Sequence, residues 1–94
     1  MEDWKSSFIT GAARAVVAGR LLACLRYLDA GQTESVRQSL LRLHWRDDID
    51  LTGVPASVVD QTDRMCTLAA RNLTRPGENV DRAKRTLLDV IDLW

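Results

Sequence analysis

Histidine, phenylalanine and tyrosine each occur once in this chain, lysine and cysteine twice, and the five glycines are scattered. Each scarcity closes off a class of chemistry. The single histidine, His44, cannot build a multi-histidine metal site, and as a general base it has no recognisable nucleophile or orienting partner. Cys24 and Cys66 fit no ligand or redox spacing and lie among apolar residues. They read as buried free thiols in a reducing compartment rather than as a disulfide. Dispersed glycines exclude a phosphate-cradling loop. Thirteen basic residues cancel thirteen acidic ones, which removes the simplest electrostatic case for nucleic acid or a membrane surface. No catalytic residue, cofactor or metal is therefore expected, and the chain is read as a non-enzyme.

What is present describes an ordinary globular chain. Apolar residues make up 46% and charged residues 28%, which argues against disorder. Residues 1–94 are expected to form one domain, and a chain of this length buries roughly 60–70% of its unfolded surface, a thin core. The opening Met1-Glu2-Asp3-Trp4 is acidic where a secretory leader is basic. Arg14, Arg20 and Arg26 interrupt the first apolar stretch every six residues, so no uncharged run reaches the ~18–20 residues of a bilayer span. The expectation is a cytoplasmic protein without membrane contact. Two lysines stand against eleven arginines, which suggests a GC-rich coding bias.

Four helical segments are predicted, separated by clear punctuation. The first runs from about Asp3 to Leu28 and stops at Asp29-Ala30-Gly31, where Gly31 can adopt the left-handed conformation. Within it Ser7, Gly11, Ala15, Gly19 and Ala23 recur every four residues and draw one ridge of small side chains. Such a ridge permits close approach of another helix. Apolar residues surround this helix on all sides, which is the mark of a central element. Three remaining helices can barely enclose it, so a second copy or a partner is expected to cover part of it. Phe8, Val16, Leu22 and Tyr27 would supply the hydrophobic contact beside the ridge.

The second segment begins at Thr33 as N-cap, with Glu34 in the first turn and Val36, Leu40 and Leu43 on one face. Trp45 falls on the polar side of that pattern and is read as an exposed aromatic anchor, a residue type enriched in binding hot spots. Trp4 and Trp94 would close the core near the chain ends. The third helix spans about Ala56 to Leu73, with Ser57 and Asp60 as a capping pair. Val58, Thr62, Met65, Ala69 and Leu73 form its inner face. After the turn Arg75-Pro76-Gly77-Glu78, Asn79 caps a last helix that buries Val80, Ala83, Leu87, Val90 and Ile91.

Two motifs invite a test. Asp48-Ile49-Asp50-Leu51-Thr52-Gly53 follows the opening of a calcium-binding EF-hand loop, but the position that needs a bidentate Glu holds Val59, and Pro55 interrupts the loop. The segment reads as an acidic, solvated connection. Leu51-Thr52-Gly53-Val54-Pro55-Ala56-Ser57-Val58-Val59 resembles the turn and recognition-helix entry of bacterial helix-turn-helix regulators, which would imply DNA binding. The helix that follows presents Asp60, Gln61 and Asp63, carboxylates where phosphate demands cations.

Charge is divided unevenly along the chain: residues 1–46 carry a formal +3 and residues 47–94 carry −3. Asp47 to Asp63 holds five acids and no base, with Arg37, Arg42 and Arg46 as its natural counterparts. The candidate partner-binding set is Arg37, Arg42, His44, Trp45, Arg46, Asp47, Asp48 and Asp50. The expected fold is all-α, a compact bundle of four helices with a long central N-terminal helix. The expected function is a non-catalytic protein-interaction module, a small cytoplasmic adaptor, regulator or inhibitor of bacterial or phage type that acts as a homodimer by binding another protein, with a helix-turn-helix-like DNA-binding regulator as the alternative.

Overall fold

A computed structural model describes residues 4–42 and 44–94. The fold is all-α, four helices with the long one first. A 3-10 turn over Trp4–Ser6 leads into α1 (Phe8–Asp29), followed by α2 (Thr33–Leu41), a second 3-10 turn (His44–Arg46), α3 (Ala56–Asn72) and α4 (Val80–Leu93). At 1.5 Å per residue α1 is about 33 Å long, and it runs along most of the 41 Å long axis of the molecule.

Capping decides where each element begins. The predicted first helix is broken at Ser7, whose extended backbone frees its hydroxyl to accept from the Ile9 N–H at 3.2 Å. Thr10, fully buried, donates back to the carbonyls of Trp4 and Ser7 and folds the preceding turn against α1. Gly31 has φ +79°, the left-handed exit expected after α1. Asn79 caps α4 by accepting from the Arg82 N–H at 3.1 Å. Two expected caps are replaced. Gln32 rather than Thr33 precedes α2, and Pro55 rather than Ser57 precedes α3. The Pro55 carbonyl accepts from the N–H groups of Val58 and Val59, and no side chain caps α3.

The core is built from one face of each helix: Ala13, Val17, Leu21 and Leu28 from α1, Val36 and Leu40 from α2, Val58, Cys66, Ala69 and Ala70 from α3, Ala83, Leu87 and Val90 from α4, with Leu73, Trp45 and Trp94 between them. α3 lies against both α2 and α4, and α1 packs along α4 and α2. The inner faces expected for α2, α3 and α4 hold, except that Met65, Val80 and Ile91 are only half-buried. Leu43 lies outside the described residues. Gly53, at φ +85°, passes over the start of α1, where a Cβ would stand 3.1 Å from Cγ2 of Thr10. A side chain there would meet both an unfavourable backbone and a buried neighbour.

Trp45 is the principal correction to the sequence reading. It is buried, not an exposed anchor. The helical pattern that placed it outward ends with α2 at Leu41, and the 3-10 turn His44–Arg46 turns the side chain inward. There its ring packs edge-to-face on Trp94 at 5.7 Å, and Trp4 packs on the same Trp94 ring at 5.6 Å. The Trp45 indole N–H donates to Asp63 Oδ1 at 3.0 Å, and that of Trp94 to the Thr62 hydroxyl at 2.8 Å. Removing a buried indole leaves a large cavity, so Trp45→Ala should cost ~3–5 kcal/mol. Urea unfolding followed by circular dichroism measures this; a loss below about 1 kcal/mol would place the indole outside the core network.

Candidate interaction surface

α1 has two faces of different character and both are apolar. Thr10, Ala13, Val17 and Leu21 point into the bundle, while Phe8, Ile9, Gly11, Ala12, Ala15, Val16, Gly19, Leu22, Arg26 and Tyr27 are exposed. Five of the eight large apolar side chains left exposed among the described residues belong to this helix: Phe8, Ile9, Val16, Leu22 and Tyr27. Phe8 is 99% exposed. Between Phe8 and Arg26 the open face carries no charge. As expected for a helix that three others can barely enclose, the bundle covers only one strip of it.

The two arginines inside this span do not interrupt the open face, because both bend toward the bundle. Arg14 donates through Nε to the Trp94 carbonyl at 2.7 Å and through Nη1 to the Lys5 carbonyl at 2.6 Å. Arg20 donates through Nη1 to the carbonyls of His44 and Asp47 at 2.9 and 2.6 Å. Each therefore satisfies carbonyls that a short turn or a helix end would leave open. By length and composition alone α1 is long and apolar enough to cross a membrane, as the core helix of a bundle can also be.

The small-residue ridge is mostly on the open side. Gly11, Ala15 and Gly19 are exposed and Ala23 is half-buried, while the Ser7 hydroxyl is engaged as the N-cap. A Cβ built at Gly11 or Gly19 meets nothing within 4 Å. Glycine inside a helix costs ~0.8–1 kcal/mol relative to alanine. Nothing within the described chain uses the space those two glycines leave.

The polar candidates are only partly assembled. His44, Trp45, Asp47 and Asp48 line a cleft of about 670 Å³ between α1 and α2, together with Cys24, Tyr27, Ser35 and Ser39. His44 Nδ1 and Asp47 Oδ2 are 2.6 Å apart, both half-exposed. Arg42 lies in a shallower depression with His44, Gln38 and Glu34. Arg46 reaches Asp63 at 3.5 Å, so part of the predicted charge complementarity is realised within the chain. Arg37 instead clasps Glu34 one turn away and lowers that carboxyl to about 2, aided by Gln38. Asp50 accepts from the Thr52 hydroxyl and backbone N–H, which lower its pKa and hold the loop. Asp48 takes a positive φ of 58°. What composition could not reveal is that Arg14 and Arg20 serve as backbone clamps, since nothing local marks an arginine as the partner of a carbonyl many residues away.

No His, Cys, Asp or Glu cluster able to hold a metal occurs among the described residues. The helix-turn-helix resemblance lacks its geometry: residues 42–55 separate α2 from α3, where that motif uses a turn of three or four residues. No protein-family description matches this chain, and no curated protein or solved structure is significantly similar to it.

The thiols differ in depth. Cys66 is fully buried, and burial together with the neighbouring Cys24 and Asp63 pushes it up to about 12. Cys24 lines the cleft and is raised by burial alone. Both are protonated at pH 8, where thiolate chemistry is slow. An aromatic disulfide reagent at that pH should modify Cys24 slowly and Cys66 only as the protein unfolds. Rapid labelling of two thiols per native chain, read by mass spectrometry, would contradict the packing around α3.

Proposed function

We propose that this chain is a non-catalytic protein-interaction module, a small cytoplasmic adaptor, regulator or inhibitor of bacterial or phage type that acts by binding another protein. Its working form is a homodimer joined through α1. The observation that carries this reading is the uncharged outer face of α1, with Phe8 fully exposed and two glycines for which the bundle has no use. Monomeric soluble proteins rarely leave a continuous apolar strip of this length open, and those that do use it for association. Half-exposed His44 and Asp47 at the mouth of the cleft offer polar contacts for a second protein.

Dimerisation through this face separates the reading from its rivals. Light scattering at micromolar concentration should return twice the mass of the chain, and Gly19→Leu should return the monomer. The Gly19 side-chain position is open and Leu is the better helix former, so at matched low concentration helix content should hold and the unfolding midpoint should stay level or rise. A parent chain that remains monomeric at high concentration refutes the dimer. Sedimentation of that monomer with phospholipid vesicles would assign the face to a membrane instead. Salt-sensitive retardation of random duplex DNA would favour the DNA-binding alternative.

A further inference from the structure

Along the open face Phe8, Ala12, Ala15, Gly19, Leu22 and Arg26 follow one another at alternating steps of four and three residues. That spacing averages 3.5 residues and keeps one seam toward a partner helix, the repeat of a two-helix coiled contact. All six are exposed. Ile9, Val16 and Ala23 border the seam on one side, and all three are apolar.

We infer that the occupant of this face is the same face of a second copy, running antiparallel, with its two-fold axis passing between Ala15 and Gly19. This rests on the homodimer reading above and specifies its geometry. The argument is one of shape and charge. In a parallel pair each seam residue meets itself. Phe8 would face Phe8 and Leu22 would face Leu22, holding the helices apart, while the Ala12, Ala15 and Gly19 layers between them stayed unfilled. Arg26 would face Arg26, a like-charge contact at the end of the seam.

An antiparallel pair reverses each of these defects. Phe8 lies against the partner's Arg26, a cation over an aromatic face. Ala12 lies against the partner's Leu22, one small side chain facing one large. At the centre Ala15 meets the partner's Gly19, where the backbones come closest. Ile9 borders the partner's Ala23, and Val16 borders its own copy. The helix dipoles also oppose one another in this direction. The glycine whose space the monomer leaves empty falls at the closest crossing, which is where close approach needs it.

The available area is sufficient. Phe8, Ile9, Val16 and Leu22 leave 99%, 69%, 40% and 48% of their surface exposed, and covering them together with the small seam residues in both copies would bury on the order of 1,000 Å², the low end for a specific interface. This is the size of a reversible association, not of an obligate one.

Cysteine cross-linking tests the direction separately from the association. Ala12→Cys and Leu22→Cys are prepared in a Cys24→Ser background, both on the exposed face and away from the core. After mild oxidation, non-reducing gels should show covalent dimer when the two variants are mixed and none when either is oxidised alone. Dimer formed by Ala12→Cys alone, with no gain on mixing, means a parallel seam and overturns the direction while the homodimer reading stands. If no preparation cross-links although light scattering shows a dimer, the seam itself is wrong. If light scattering shows only monomer, both the seam and the reading beneath it fall.

Discussion

The ring of Trp94 is the point on which the rest of the molecule depends. Trp4 and Trp45 pack edge-on against it, and its N–H is anchored on Thr62 of α3, whose hydroxyl in turn donates to the Val58 carbonyl at 2.7 Å. Edge-to-face contacts add about 0.5–1.5 kcal/mol each beyond the area they bury. Their larger consequence is topological. The turn before α1, the connection after α2 and the end of α4 are all gathered onto the middle helix α3. A core of small residues such as Ala69, Ala70 and Ala83 contributes little volume, so three indoles supply the bulk that draws four helices together.

The two arginine clamps extend that gathering to α1. Arg14 holds the carbonyls of Trp94 and Lys5, and Arg20 holds those of His44 and Asp47. A helix with apolar residues on every side has no intrinsic preference for which face to bury, so pattern alone leaves its rotation undetermined. The guanidinium groups resolve the choice. Their reach to fixed carbonyls on two sides of α1 turns Val17 and Leu21 inward and leaves Phe8, Ala15 and Leu22 outward. The same arginines that interrupt the apolar stretch in the sequence are those that orient the helix within the bundle.

Much of this architecture was legible in the sequence. Helix number, the position of α3 and α4, the Gly31 exit and the Asn79 cap follow from period and punctuation, because they are decided within a few residues of themselves. Trp45 was not legible, since its direction depends on a 3-10 turn after Leu41 that no local signal announces. The caps at Gln32 and Pro55 were missed for a related reason: backbone conformation rather than a capping side chain sets where α2 and α3 begin. For the candidate surface, the four-residue ridge was visible, but its exposure was not. Spacing places residues on a common face without saying whether that face looks inward. Of the charged set, Arg46 found its acid within the chain, whereas Arg37 took the nearer Glu34, as an i, i+3 pair on a helix is expected to do.

The outer face of α1 is best understood as the remainder of a packing problem. A chain of this size has too few apolar side chains on its other helices to cover a long helix on all sides, and α3 spends both of its flanks on α2 and α4. One solution would be to make the outer face of α1 polar, which costs nothing in the core. The sequence does the opposite: it keeps that face uncharged for more than four turns and places glycines in it at about 1 kcal/mol each in helix stability. Large side chains alone could reflect drift on a tolerant surface. Glycines alone could reflect a local weakness. Their coincidence on a single seam, with the charges of Arg14 and Arg20 turned away from it, is the pattern expected where another helix completes the enclosure that the chain cannot provide for itself.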